Sequence, residues 1–371
     1  MKYIYNIDGL KNHDENSAFE EKIGKKAQNL FELAIHGFNV PDFSVITNRY
    51  FKEVILDEIR EYCKSEITDW NSVFEGDSEK KIGNIVEVIK NHKIREEFKR
   101  EIEKIVKDGS YYAVRSSSIE EDSSNFSFAG QFETYLYVRK ENMIEKIKEV
   151  WISSFSSHVM RYRKEGKINN EINVPAVIIQ EMINSEKAGV GFSVNPVNGD
   201  HDEIVISGTF GLGTSIVDGD ENGDLFIYNK KTKEIKKEIR TKKIRQVLDF
   251  ENKKIKIEEI NIEDEVLNND EIMKLGENII NIEKYYGKPQ DMEWAFEAEK
   301  LYILQSRPIT TLKNTNKKMT NTIIWDNSNI VESYPEITLP LTFSFIRKAY
   351  SDVYKRFSEI TGVPAKVVES Y

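Results

Sequence analysis

Five stretches of this 371-residue chain pair side chains whose types and spacing suit the handling of an anion. The first is IGKKAQNL at 23–30, where Gly24, Lys25 and Lys26 open a stretch with helical spacing. The first turn of a helix leaves backbone N–H groups unbonded and carries the positive end of the macrodipole, so a lysine there completes an anion-binding arrangement. The GxxxxGK[ST] spacing of a Walker loop is absent, and an ordinary basic helix start accounts for the same residues. The second is VRSSSIEEDSSNFSFAGQFETYLYV at 114–138, in which Arg115 ends a strand and a hydroxyl-rich, acidic loop containing Gly130 leads into the next one. An arginine at a strand end can present its planar fork to phosphate oxygens. A solvated turn with a surface arginine is the alternative.

The third stretch, QEMINSEKAGVGFSVNP at 180–196, reads as strand, polar bend and strand, with the backbone of Glu181 to Ile183 placed to face the edge of a flat base. A plain sheet segment fits it as well. The fourth, GTFGLGTSIVDG at 208–219, has its glycines in the order GxxGxG, the reverse of the dinucleotide fingerprint, so it is a poor Rossmann signal. A phosphate-side loop and a set of tight turns both remain open for it. The fifth, PQDMEWAFEAEKLYILQSRPIT at 289–310, carries Asp291 and Glu293 on one face of a strand, since side chains alternate with period two. Gln305 follows twelve residues after Glu293, with Arg307 on the same side of its own strand. Two carboxylates, an amide oxygen and an arginine on one face suit a hard cation beside a polyphosphate. A simple cross-strand ion pair is the competing explanation.

The elements that must position these residues are mixed. Apolar residues at Ala27, Leu30, Phe31, Ala34 and Ile35 predict a helix that stops at His36-Gly37. The same periodicity predicts one or two helices over 78–107 and one from Ile144 to Arg163. Strand signals lie at 111–115, 132–138, 176–183, 188–194, 202–208, 225–229 and 300–307. Their uneven interleaving with helices and their hairpin spacing favour an α+β fold with mainly antiparallel sheets over a doubly wound parallel sheet.

Length and composition bound the rest. The length predicts two or three structural units, and 39% hydrophobic residues are enough to fill their cores. A formal net charge of -10 without a basic stripe argues against a nucleic-acid surface. One cysteine, Cys63, excludes an intrachain disulfide, and no apolar run reaches the length of a signal peptide or membrane span. A cytoplasmic protein is the expectation. The polar stretch 313–322 reads as a linker, and 323–371 as the truncated beginning of a further domain ending in a helical segment.

Taken in order and spacing, IGKKAQNL, VRSSSIEEDSSNFSFAGQFETYL, QEMI with AGVGFSVNP, GLG with VDG, and PQDMEWA with LYILQSRPIT resemble the nucleotide-binding domain of phosphoenolpyruvate synthase, pyruvate phosphate dikinase and rifampin phosphotransferase. The resemblance covers residues 20–312, and the tail from Trp325 is similar to the segment that follows this domain in synthase-like and rifampin phosphotransferase-like members. It implies a two-lobed ATP-grasp fold, with lobes at 1–200 and 201–312. It also implies ATP and Mg2+ as ligands. Lys26, Arg115 and Arg307 match the family's phosphate-binding cations. Gly130 and Thr134 match the phosphate-side loop and the strand leaving it, and Gln180, Glu181, Met182 and Ile183 match the adenine-facing linker. Glu293 and Gln305 match its magnesium ligands, with Asp291 beside them.

In that family ATP phosphorylates a histidine on a separate swivelling domain, and the phosphohistidine then serves a small-molecule acceptor such as pyruvate or an antibiotic hydroxyl. The five histidines here, His13, His36, His92, His158 and His201, match no such histidine motif. The resemblance therefore places the phosphohistidine domain elsewhere in a longer chain or on a partner. A free-standing nucleotide-binding subunit or sensor is the alternative. Lys25 stands where the family often has glycine, and Thr214 where glutamate is common.

Overall fold

The computed structural model describes residues 3–7, 22–64, 67, 69–118, 133–165, 172, 174–213, 216, 223–249 and 254–309. The chain divides into two units, Met1–Asn314 and Thr315–Tyr371, and every described residue lies in the first. The sequence-predicted linker and the segment after it fall outside the described residues.

The first half of that unit runs β1 (Ile4–Asn6), α1 (Lys25–Ile35), β2 (Phe43–Ile46), α2 (Leu56–Cys63), α3 (Trp70–Phe74), α4 (Ser78–Asn91), α5 (Glu96–Ile105), β3 (Tyr112–Ser117), β4 (Thr134–Val138), α6 (Met143–Ser153), α7 (Ser157–Glu165) and β5 (Ala176–Glu181). Its strands form an antiparallel sheet in the order β1-β2-β5-β3-β4. Period-two alternation sorts the side chains. Tyr112, Val114, Val177 and Ile179 enter a large core with α2 to α6, around Phe51, Trp70, Trp151 and Phe155. Ala176 and Ile178 face the other way, onto Ala27, Leu30 and Phe31 of α1. Arg115 and Gln180 alternate with the first set, so they lie on the α1 face.

The second half contributes β6 (Lys187–Phe192), β7 (Glu203–Phe210), β8 (Asp224–Asn229), β9 (Ile235–Glu238), β10 (Lys242–Asp249), β11 (Lys254–Ile262), α8 (Asn269–Tyr286), β12 (Gln290–Glu297) and β13 (Lys300–Pro308). Six of its strands form an antiparallel sheet in the order β13-β12-β6-β7-β8-β9, while β10 and β11 form a separate hairpin. α8 begins with a capping box between Asn268 and Glu271 and ends on Gly287 in the left-handed conformation. It buries Ile272, Leu275, Ile279 and Ile282 against Met292, Trp294, Phe296, Ile204 and Phe226. Burying each such side chain contributes on the order of 1.5–3 kcal/mol. Leu33 of α1 joins this second core. α1 therefore packs on both sheets.

The α+β, mainly antiparallel architecture agrees with the sequence-based expectation. The stretch 78–107 forms two helices, and α1 stops where Gly37 takes φ 82°. The helix predicted for 144–163 is instead two, α6 and α7. Between them Ser154 and Phe155 donate tight bonds to the carbonyls of Trp151 and Ile152. Ser156 Oγ accepts from the Val159 N–H, and this serine-rich turn restarts the chain in a new direction.

Candidate functional site

The start of α1 is locked to the end of β3. Gly24 adopts φ 75°, and a Cβ there would lie 2.2 Å from the carbonyl oxygen of Ser117, so only glycine fits. The Lys25 N–H donates to Ser118 O at 3.3 Å, and the Ala27 N–H donates to Ser117 Oγ at 3.0 Å. Lys25 does not crowd this turn, because its Nζ folds along the helix to Gln28 Oε1 at 2.7 Å. Lys26 occupies the same first turn, partly buried, two residues after the glycine.

Arg115 is the hub of the arrangement. Its Nη2 donates to Gln305 Oε1 at 2.5 Å and to Glu293 Oε2 at 3.2 Å, and its Nη1 to Gln180 Oε1 at 3.4 Å. Four strands, β3 and β5 of one sheet and β12 and β13 of the other, thus meet on one guanidinium. Register explains the convergence: Arg115 lies opposite Thr134 on β4, and Glu293 opposite Gln305. A β-bulge leaves Leu304 of β13 as the extra residue between the Glu293–Gln305 and Trp294–Ile303 pairs, so Ile303 stays in the core while Gln305 faces the arginine. The Arg115 and Glu293 side chains are 12% and 24% exposed, which places this pair where solvent screens weakly. Among the described residues Arg115 Nε is buried with no hydrogen-bond partner.

One step along the same two strands, Arg307 Nε donates to Asp291 Oδ2 at 2.8 Å, and Nη2 reaches the same oxygen at 2.8 Å. Burial pushes the Asp291 carboxyl above the ordinary aspartate value, with Arg307 opposing that rise and Glu293 adding to it. The competing cross-strand pair is therefore present for Asp291 and Arg307. Glu293 and Gln305 instead aim two oxygens at one point. That geometry fits a hard cation whose remaining ligands are water and phosphate oxygens. Among the described residues no group of three or more His, Cys, Asp or Glu could hold a metal ion by itself.

The linker residues behave differently from one another. Gln180 is buried, with Nε2 donating to Leu304 O at 3.3 Å. The Glu181 carboxylate is held by Lys107 Nζ at 3.0 Å and Ser110 Oγ at 2.9 Å, so its side chain is not brought to the arginine. The N–H groups of Glu181 and Met182 donate to Asp42 O and Tyr111 O, both at 2.8 Å. Met182 packs against the cluster of Tyr111, Leu212 and Leu248. Met182 and Ile183 also line a cavity of about 380 Å³ with Val40, Pro41 and Tyr302. Gly130 and Thr214 lie outside the described residues.

The glycine run has packing reasons. A Cβ on Gly208 would meet the Trp294 ring at 2.9 Å, and Gly211 has φ 80° with Gln246 O 2.2 Å from its would-be Cβ. Sequence reasoning missed Asn29 and Ser306, which hold α1 against the second sheet. Their only trace in the sequence is polarity inside an apolar run.

Residues 20–327 match the family described as pyruvate phosphate dikinase, AMP/ATP-binding domain. The chain belongs to this family. It is 36% identical over 333 residues to a probable phosphoenolpyruvate synthase of Methanocaldococcus jannaschii, covering 86% of this chain and 27% of that one. It is 35% identical over 306 residues to the phosphotransferase YvkC of Bacillus subtilis, covering 79% and 34%. It is 33% identical over 307 residues to a rifampicin phosphotransferase of Bacillus cereus, covering 78% and 34%. The chain thus spans about a quarter to a third of the length of these relatives. The resemblance read from the five motifs holds for the family of this AMP/ATP-binding domain. Among the described residues no helix is long and apolar enough to cross a membrane.

Proposed function

We propose that this domain binds MgATP between its two sheets and hands a phosphoryl group to a histidine on another domain, as the first half-reaction of a phosphoenolpyruvate synthase-like or rifampin phosphotransferase-like enzyme. The convergence of Gln180, Glu293 and Gln305 on Arg115 is the observation that carries this reading. We take the two sheets as the lobes of an ATP-grasp fold and set their boundary at 182–186, between β5 and β6, rather than at residue 200 as read from the sequence.

Lys26, Arg115 and Arg307 bind the phosphate oxygens, with Gly130 and Thr134 as further contacts of the nucleotide. Residues 180–183 take the adenine edge, and Met182 supplies an apolar wall. Glu293 and Gln305 hold magnesium, which neutralises charge on the phosphoryl oxygens. Phosphoryl transfer asks little covalent chemistry of the protein, so the cations contribute by orienting the phosphates and stabilising spreading charge. The acceptor histidine comes from a domain in the longer chain or in trans, and the final small-molecule acceptor is chosen there.

Titration calorimetry of the 371-residue chain with ATP, with and without Mg2+, tests the binding step. Adding a histidine-bearing domain from a family relative then tests transfer, read as label on the histidine and release of AMP with inorganic phosphate, the β-phosphoryl group staying on the histidine and the γ-phosphate leaving to water. Absence of any MgATP binding overturns the proposal; binding without transfer to any such domain limits it to a nucleotide-binding module.

A further inference from the structure

Asn29 is 3% exposed in the middle of α1, among the buried side chains Ala27, Leu30, Phe31 and Leu33. An amide is a poor choice for an apolar helix face. It is weaker than alanine or leucine as a helix former and costly to bury without partners. Its Nδ2 donates to the main-chain carbonyl of Ser306 at 2.9 Å, and its main-chain carbonyl accepts from the Tyr286 hydroxyl at 3.3 Å.

Ser306 stands between Gln305 and Arg307 on β13, the edge strand of the second sheet. The outward main-chain groups of an edge strand have no ladder partner. Here α1 and the segment after it supply them: Asn29 takes Ser306 O, Asn39 Nδ2 donates to Leu301 O at 2.6 Å, and Asn39 O accepts from the Ile303 N–H at 2.8 Å. One helical turn before Asn29, at i-3 and so on the same side of the helix, is Lys26. At the start of the helix, Ser117 pins α1 to the strand that carries Arg115. The helix is held at two points, one on each sheet, and each lies within two residues of a phosphate-binding arginine.

We propose that Asn29 is a positioning residue: its grip on Ser306 sets the distance from Lys26 to Gln305 and Arg307, so that all reach one triphosphate. This rests on the MgATP reading of the site. Nothing in it requires Asn29 to touch the nucleotide.

The test compares Kd for ATP and for AMP, both with Mg2+, in the wild-type chain and in Asn29→Asp, by calorimetry below the unfolding temperature. The aspartate keeps the shape but turns a donor into a carboxylate facing a carbonyl oxygen. ATP affinity is expected to fall at least about tenfold, the effect of weakening one charge-assisted bond to phosphate. AMP affinity is expected to move less than about twofold, because AMP lacks the phosphates that Lys26 and Arg307 share. A residue that only stabilised the fold would lower the melting temperature and leave the AMP-to-ATP ratio alone. An unchanged ratio in a folded Asn29→Asp chain overturns the role of Asn29 and leaves the site reading intact. Failure of the wild-type chain to bind MgATP overturns the site reading and this role with it. Where Asn29→Asp does not fold, Asn29→Ser, whose hydroxyl is too short to reach Ser306 from the same backbone, is read by the same ratio.

Discussion

Arg115 occupies the oxygens that the proposed magnesium needs, and this makes its removal the most informative perturbation. The guanidinium is bound to Glu293 Oε2 at 3.2 Å and Gln305 Oε1 at 2.5 Å, so metal and arginine compete for both. Two unit charges about 4 Å apart attract by roughly 4 kcal/mol at an effective dielectric near 20. Glu293 is 24% exposed. Solvent screening at that exposure reduces the figure to about 2 kcal/mol, a factor of about 30 in affinity. Arg115→Ala is therefore expected to bind Mn2+ in the absence of nucleotide at least about tenfold more tightly than wild type, because a carboxylate is left without its cation. The same variant is expected to bind MgATP about 100-fold more weakly, having lost a bidentate phosphate donor. Free Mn2+ followed by electron paramagnetic resonance gives the first number and calorimetry the second. Mn2+ binding in Arg115→Ala no tighter than in wild type would refute the idea that arginine and metal share one ligand pair.

Three further outcomes follow from the geometry. Gly24→Ala puts a Cβ against the Ser117 carbonyl in a left-handed backbone, and is expected to cost more than about 2 kcal/mol in chemical denaturation and to abolish MgATP binding. Burial holds the Asp291 pKa above its ordinary value, so this group favours the folded state at low pH and loses that contribution as pH rises through its folded value. Asp291→Asn is accordingly expected to melt above wild type at neutral pH, with the gap narrowing on acidification; a gap that widens as pH falls contradicts the sign. Lys242 and Asp224 form a fully buried pair at 2.8 Å that ties β8 to β10, with Asp224 also accepting from the Arg240 and Val266 N–H groups. Lys242→Met leaves that carboxylate buried and unpaired, and should cost about 3–5 kcal/mol by urea denaturation; a loss under about 1 kcal/mol would show that Asp224 is rehydrated instead.

Period and punctuation made much of the fold readable. The apolar spacing of α1, its stop at Gly37, and the alternation in β3, β5 and β12 are local properties of backbone geometry. α8 is not read from the sequence although Asn268, Glu271 and Gly287 mark both its ends, because interior Gly276, Asn278 and the β-branched Ile279, Ile280 and Ile282 are weak helix formers. The hairpin β10–β11 was missed for a different reason. Among its described residues only Lys242 and Leu248 are buried, so no continuous buried stripe announces it.

The sequence alone determined which residue types stand at which strand and helix ends, since a motif's order and spacing survive without knowledge of the fold. It placed Arg115 on a strand, put Glu293 on the face of Asp291, and gave Lys26 a helix start, while the strand carrying Arg115 runs on to Ser117 rather than ending at the arginine. Only tertiary structure decided which of them meet. Arg115 reaches Glu293 across 178 positions of chain and Gln305 across 190, and no local rule sets that distance. It also separated near neighbours: Gln180 turns toward the arginine while Glu181, one residue on, turns to Lys107. The physical reason is that side-chain direction follows from local backbone period, whereas the approach of two sheets follows from how one helix buries apolar residues against both.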